Sequence, residues 1–266
     1  MTTAILTRDD LRTLTPSVFA TTPWDRVSTN YRFVPTIEVL GMMEDQGFHP
    51  VMAKQSRTRI EGKAPFTKHM IRLRHRDHLA TALHEEVPEL VLVNSHDRSS
   101  AYKLFAGVFR LICENGMIIA SEVYGSFSLR HSGSRDLRQQ IIDTTGEVIS
   151  ITAQAFENVS QWKQIELSRP QQVAFATAAA ELKPNAAIRP SHLLTARREA
   201  DYTDGEGNRD LWRTTNVLQE SLIRGGLSGT ASTGRKVTTK AVKSVTGDLA
   251  INRGLWRLAA EMAKLA

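Results

Sequence analysis

Beyond residue 48 the hydrophobic period of this chain changes once, near residue 134, and that change limits the folds open to it. From residue 48 to residue 130 apolar and polar residues alternate in short runs, and from 134 onward apolar residues recur at helical spacing. Strands followed by helices, rather than the two in alternation, point to an α+β fold with an antiparallel sheet. The expected architecture is an antiparallel β-meander flanked by a short N-terminal helix and a long crossing helix, followed by a C-terminal helical layer.

Residues 1–34 contain Pro16 and Pro23, show no clear period, and read as an irregular arm. A helix is expected over 36–46, with Ile37, Leu40 and Met42 or Met43 on one side and Gly47 as its stop. Strands are expected over 48–60 and 66–76 around the loop Glu61-Gly62-Lys63-Ala64-Pro65, then over 87–94, then in a run ending at 109–113. Asn115-Gly116 is a hairpin turn dipeptide, and a fifth strand is expected over 117–130. In the second strand Ile71 and Leu73 face one way while Lys68, Arg72, Arg74 and Arg76 face the other, so one sheet face is expected to be basic.

The helical half begins with a segment over 134–165, about 45 Å long if unbroken. Ser168 and Gln171 form a capping box with Pro170 in the first turn of a helix running to Leu182. Further helices are expected from Ser191, over 211–224 and over 248–265, with a flexible basic connector rich in Gly, Ser and Thr between the last two. The expected division is an arm (1–34), a core of sheet plus long helix (35–184), and a C-terminal helical region with the basic connector (185–266).

Hydrophobic residues at 41% and charged residues at 23% exclude a mainly disordered chain. The single cysteine, Cys113, excludes an intramolecular disulfide and a cysteine-rich zinc site, and with no signal-peptide or membrane-spanning stretch a cytoplasmic setting is expected. The formal net charge of +6 is unevenly distributed. Eight Lys/Arg lie in 54–78 (Lys54, Arg57, Arg59, Lys63, Lys68, Arg72, Arg74, Arg76) against Glu61 and Asp77. Eight more lie in 221–266 (Arg224, Arg235, Lys236, Lys240, Lys243, Arg253, Arg257, Lys264) against Asp248 and Glu261. Such segregation fits either a polyanion binder or two solvated faces.

No catalytic motif stands out. His75 and His78 are three apart but in an extended run, where they face opposite sides, and no acid or cysteine completes a metal set. The glycines at 225, 226, 229 and 234 lack both a preceding strand and a Gly-Lys-Ser/Thr, which argues against a phosphate loop. The 201–210 segment resembles a calcium loop only until Trp212, which stands where a bidentate acid is required. The one polar constellation is Asn94, Ser95, His96 and Asp97 with Arg110; it reads either as an enzyme centre or as turn capping. Cys113 in an apolar strand reads as a small buried hydrophobe. No metal and no cofactor are expected.

Val93-Asn94-Ser95-His96-Asp97, then Phe109-Arg110-Leu111-Ile112-Cys113 with Asn115-Gly116, and later Asn216 to Glu220, Gly225-Gly226, Ile251-Asn252 and Leu255-Trp256 resemble the phage/plasmid-like family called domain of unknown function 932. The resemblance runs from about Pro35 to the end of the chain and implies a mobile-element setting rather than a mechanism. The order of elements is also similar to the core of phage single-strand annealing recombination proteins. That likeness implies rings that hold single-stranded DNA in a basic groove.

The leading expectation is a non-enzymatic protein that binds nucleic acid, single-stranded DNA above all, in replication or recombination, with homo-oligomers and no membrane partner. Lys54, Arg57, Arg59, Lys68, Arg72, Arg74 and Arg76 would contact phosphates from the sheet, and Arg235, Lys236, Lys240 and Lys243 from the connector. The alternative is a protein-interaction module that uses the helices over 134–182 to act on a host protein.

Overall fold

A computed structural model describes residues 4–27, 33–80, 86–110, 116–118, 127–128, 137–183, 187–231 and 233–265. The fold is α+β. The chain divides into two compact units, residues 1–114 with 124–153, and residues 115–123 with 154–266. The division falls within the helix Leu137–Trp162.

The first unit begins with a helix where an irregular arm was expected. In α1 (Arg8–Leu14) Thr7 Oγ1 accepts from the Asp10 amide while the Asp10 carboxylate accepts from the Thr7 amide, a reciprocal cap on a helix too short to display a period. Leu11 is buried, and the turn Pro16–Phe19 carries Ser17 and Val18 inside. Helix α2 (Thr36–Asp45) follows, tied to α1 by the Arg8–Glu44 ion pair. Gly47 stops it at φ 87°, in a position where a Cβ would lie 2.7 Å from Arg76 Nε.

Strands β1 (Phe48–Gln55), β2 (His69–His75), β3 (Glu86–Asn94) and β4 (Lys103–Arg110) then form an antiparallel meander in chain order. Pro50 is tolerated because β1 is at the edge, where the register shifts between Pro50 and Met52. Pro88 is tolerated inside β3 because pairing to β2 begins only at Glu89. The turn at Asn115-Gly116, Cys113 and most of the strand expected over 117–130 lie outside the described residues; 116–118 and 127–128 are strand.

The period-two alternation of β2 holds, but its basic side does not face solvent. Arg72 and Arg74 are 6% and 2% exposed, and Glu89, in register opposite Arg74, is 1% exposed. Arg72 Nε donates to Glu89 Oε2 at 2.5 Å; Arg74 donates to Oε1 from Nε at 3.0 Å and from Nη2 at 2.6 Å. The Arg72 guanidinium also lies 3.6 Å over the Phe109 ring. Gly107 makes room for that ring, since a Cβ there would come within 2.2 Å of it. The expected basic sheet face is therefore a buried layer, because a carboxylate from the neighbouring strand compensates the two arginines.

In the second unit Trp162, at the end of α3 (Leu137–Trp162), packs on Trp256 at 4.7 Å and on Trp212 at 6.2 Å between ring centroids. Helix α4 (Arg169–Ala180) starts with the expected Ser168/Gln171 box. Helix α5 (Leu211–Arg224) is buried over 211–222 at every position except Arg213. It is no apolar rod: Thr214, Thr215 and Asn216 return their side-chain donors to carbonyls four residues back, which satisfies them without a partner helix. Gln219 Nε2 donates to Asn252 Oδ1 at 2.6 Å and so ties α5 to α6 (Val245–Leu265).

The connector before α6 is folded rather than flexible. Strands β5 (Ser228–Thr230) and β6 (Lys236–Thr238) form a hairpin that extends to Ala187–Ile188. Gly225, at φ 67°, packs so closely that a Cβ would lie 2.6 Å from the Lys240 carbonyl carbon, and Lys183 Nζ donates to the carbonyls of Leu222 and Lys240. The 201–210 loop is likewise ordered by Asp204, whose carboxylate accepts from the amides of Glu206 and Asn208.

Glu89→Ala would leave two guanidinium groups buried without their carboxylate. It is expected to cost the first unit about 3–5 kcal/mol, read as a lowered urea midpoint; an unchanged midpoint would show that the triad contributes nothing to stability.

Candidate functional site

One end of the sheet gathers most of the chemistry. Lys54 is the penultimate residue of β1, Lys68 precedes β2, Asn94 ends β3 with residues 95–97 following it, and Lys103 opens β4. The register sets Lys54, Met70, Val93 and Lys103 in one row across the four strands, so Lys54 and Lys103 stand about 14 Å apart with the buried Met70 and Val93 between them. The Ser56 amide donates to the Lys68 carbonyl at 2.7 Å, so the loop bearing Arg57 and Arg59 springs from the same place.

Inside this end lies a closed polar network. Thr36 Oγ1 is its hub, at 3.0 Å from Asn94 Nδ2, 2.9 Å from His69 Nε2 and 3.3 Å from His96 Nε2. Ser17 Oγ sits 2.8 Å from Gln55 Oε1 and 2.8 Å from His69 Nδ1. An amide oxygen only accepts, so the Ser17 hydroxyl hydrogen goes to Gln55 and His69 carries its proton on Nδ1, shared with the Thr67 carbonyl. His69 Nε2 then accepts from Thr36, and His96 donates to Thr36 from Nε2, leaving its buried Nδ1 bare. Both rings are held neutral. Burial, then the neighbouring His96, pushes His69 down to about 3, and burial pushes His96 down to about 4 against opposing pulls from the Ser17 carbonyl and Asp97.

In this arrangement the 94–97 group carries the hydrogen bonds of a capped turn. Asn94, Ser95 and His96 are buried, and the first two bond locally: Asn94 Oδ1 accepts from the Ser95 amide, and Ser95 Oγ exchanges hydrogen bonds with Ser100. Arg110 does not belong to the group, since it pairs opposite Glu86 at the far end of β4, about 23 Å along the strand. Four of these residues therefore cap and brace a turn, at whose tip Arg98 takes φ 63°.

The outer side of the same turn is charged. Lys63 Nζ lies 3.1 Å from Asp97 Oδ2 and 4.7 Å over the Trp24 ring. The Trp24 amide donates to the His96 carbonyl at 2.9 Å, and Arg26 stands 5.4 Å from the same indole. Hydrogen bonds from Ser99 and the Lys63 ammonium hold the Asp97 carboxyl below its usual range against the opposing pull of burial. Lys68 titrates lower than a free lysine, chiefly through partial burial and also through Lys103, with Asp97 pulling the other way.

Of the residues expected to meet phosphate, Lys54 and Lys68 stand at this sheet end, and Arg57 and Arg59 are exposed on the loop that leaves it. Arg72 and Arg74 are withdrawn into the Glu89 triad, and Arg76 is exposed at the opposite end, beside Gly47. Arg235, Lys236, Lys240 and Lys243 are exposed on and after the hairpin of the second unit. Sequence reasoning missed Lys103 and Trp24. Lys103 was readable from strand pairing, because the turn after β3 returns it to the β3 end. Trp24 lay in a stretch without a period. Among the described residues no group of three or more His, Cys, Asp or Glu could hold a metal, and no helix is long and apolar enough to cross a membrane.

The family model described as Domain of unknown function (DUF932) matches residues 23–256. The chain is 37% identical over 257 residues to UPF0380 protein YafZ of Escherichia coli (strain K12), covering 96% of this chain and 90% of that protein. It is 36% identical over 257 residues to UPF0380 protein YfjQ of the same organism, with the same coverage. No solved structure matches significantly.

The neutral histidine pair gives the first unit a defined acid sensitivity. Unfolded histidines take up protons near pH 6.5 while His69 and His96 resist until about 3 and about 4, so stability falls as pH drops below 6.5. The expected loss between pH 7 and pH 5 is about 2 kcal/mol for each ring. Urea midpoints across this range test it; a His69→Gln chain with the same pH slope as the unaltered chain would refute it.

Proposed function

The chain belongs to the family described as Domain of unknown function (DUF932), and on that footing we propose that it is a non-enzymatic nucleic-acid-binding protein of a mobile element, with single-stranded DNA as its ligand in replication or recombination. The observation that carries the reading is the row of Lys54, Lys68 and Lys103 across the sheet end, joined by the exposed Arg57 and Arg59 on the adjoining loop. Adjacent strands lie about 4.8 Å apart, which spreads these cations along a line suited to following a phosphate backbone. Mutual repulsion of Lys68 and Lys103 is relieved when a polyanion arrives. Arg235, Lys236, Lys240 and Lys243 supply a second exposed phosphate-binding segment on the other unit. The burial of Asn94, Ser95 and His96 favours binding over catalysis, because a reacting group needs access to its substrate.

Fluorescence anisotropy with single-stranded and duplex DNA, at several salt concentrations and on nuclease-treated protein, tests this. Binding is expected to weaken steeply with salt. Each phosphate contact removed makes the slope shallower by about 0.7 for a single strand, so replacing Lys54, Arg57 and Arg59 by Gln should reduce it by about 2. Arg76→Gln, at the opposite sheet end, should leave it unchanged. Absence of binding at low salt would overturn the proposal and turn attention to a protein partner.

A further inference from the structure

We propose that Trp24 is the base-stacking residue of the basic sheet end, so that this surface selects strands with unpaired bases. The inference rests on the nucleic-acid reading of that end and names the part of the ligand it recognises beyond phosphate.

Three of the four tryptophans, Trp162, Trp212 and Trp256, are buried against one another in the second unit. Trp24 differs, being half-buried at the head of a turn in which the Val27 amide donates to its carbonyl. Its position is fixed by the core. The Trp24 amide binds the carbonyl of His96, whose side chain is locked through Thr36 to His69 and Asn94. An aromatic held this way loses little conformational freedom when a base stacks on it.

Charge surrounds the ring in the manner a nucleotide requires. The Lys63 ammonium lies over the indole at 4.7 Å and the Arg26 guanidinium over it at 5.4 Å, so a stacking base takes the place of one of these cations, which is then released to a phosphate. Lys63 also holds Asp97 at 3.1 Å, and the amide of His96, whose carbonyl binds Trp24, donates to the Phe66 carbonyl two residues ahead of Lys68. The indole therefore adjoins the proposed phosphate track, and a strand lying along the lysines places bases next to it. Stacking is tolerant of sequence but needs a base released from its pair, which a duplex does not offer. A purely structural role, in which the indole only fastens Lys63, would affect single and double strands alike.

The experiment uses the full chain with fluorescein-labelled oligo-dT and the matching oligo-dA/oligo-dT duplex. Oligo-dT is expected to quench the tryptophan fluorescence of the unaltered chain. Trp24→Leu should abolish that quench and weaken oligo-dT binding about 10- to 100-fold while leaving duplex binding unchanged. Trp24→Phe should restore most of the affinity. Equal oligo-dT affinity in the Trp24→Leu chain, equal losses on single strand and duplex, or a quench that survives the substitution would each overturn the inference while leaving phosphate binding intact. An unaltered chain that binds neither DNA would instead overturn the nucleic-acid reading together with this one.

Discussion

Glu89 is the residue that allows β2 to be an interior strand. Two guanidinium groups on one side of a strand would ordinarily keep that side in water, because taking an ion out of water costs several kcal/mol. One carboxylate in register on β3 accepts from both, and the face of Phe109 covers Arg72 from the next strand over. The result is a buried ionic cluster. Such a cluster is a poor source of stability compared with an apolar layer, yet it ties β2 and β3 to one register, since a shift of one residue would turn Glu89 to the other face. The positions of Lys54, Lys68 and Lys103 at the sheet end follow from that register.

The same buried carboxylate explains where the sequence misled. Alternation in β2 reveals which residues share a side, but it carries no information about whether that side meets solvent. The clue lay 15 residues downstream of Arg74, in a glutamate set within the apolar run Val87 to Asn94. A charge in such a run asks for a buried partner, and β2 was the only neighbouring expected strand rich in arginine. Long elements with caps were legible: the Ser168/Gln171 box and the limits of α5 were readable because capping chemistry and helical period agree. The hairpin of β5 and β6 was not, since three-residue strands are too short to show a period. Its order comes instead from distant contacts such as the Lys183 ammonium on the Lys240 carbonyl.

The candidate site was half legible for a related reason. Residues 94–97 stood out as a polar group, and they do converge at the sheet end. Sequence alone could not divide them into an inward half and an outward half. His96 turns inward to Thr36, where it is desolvated and neutral; Asp97 turns outward to Lys63 and keeps its charge. A single peptide bond separates a neutral bracing residue from a charged one, whose own carboxylate side chain is only 3% exposed beneath Lys63. Arg110 was assigned to the same group on proximity to a strand end, but antiparallel pairing sends it to the other end of the sheet.

This division of labour has a consequence for binding. Lysines on a flexible loop lose rotamer and backbone freedom when they engage a ligand, and that loss is subtracted from the affinity. At this sheet end the backbone is already fixed: Lys54 and Lys103 lie in paired strands, the carbonyl of Lys68 accepts from the Ser56 amide, and the Trp24 amide is bound to the His96 carbonyl. The network centred on Thr36 fixes His96 in turn. On the proposed nucleic-acid reading, the buried histidines would contribute to recognition without touching a ligand, by holding the strand ends and the indole in place before one arrives. The cost of that rigidity is their desolvation, which confines the arrangement to conditions in which both rings remain neutral.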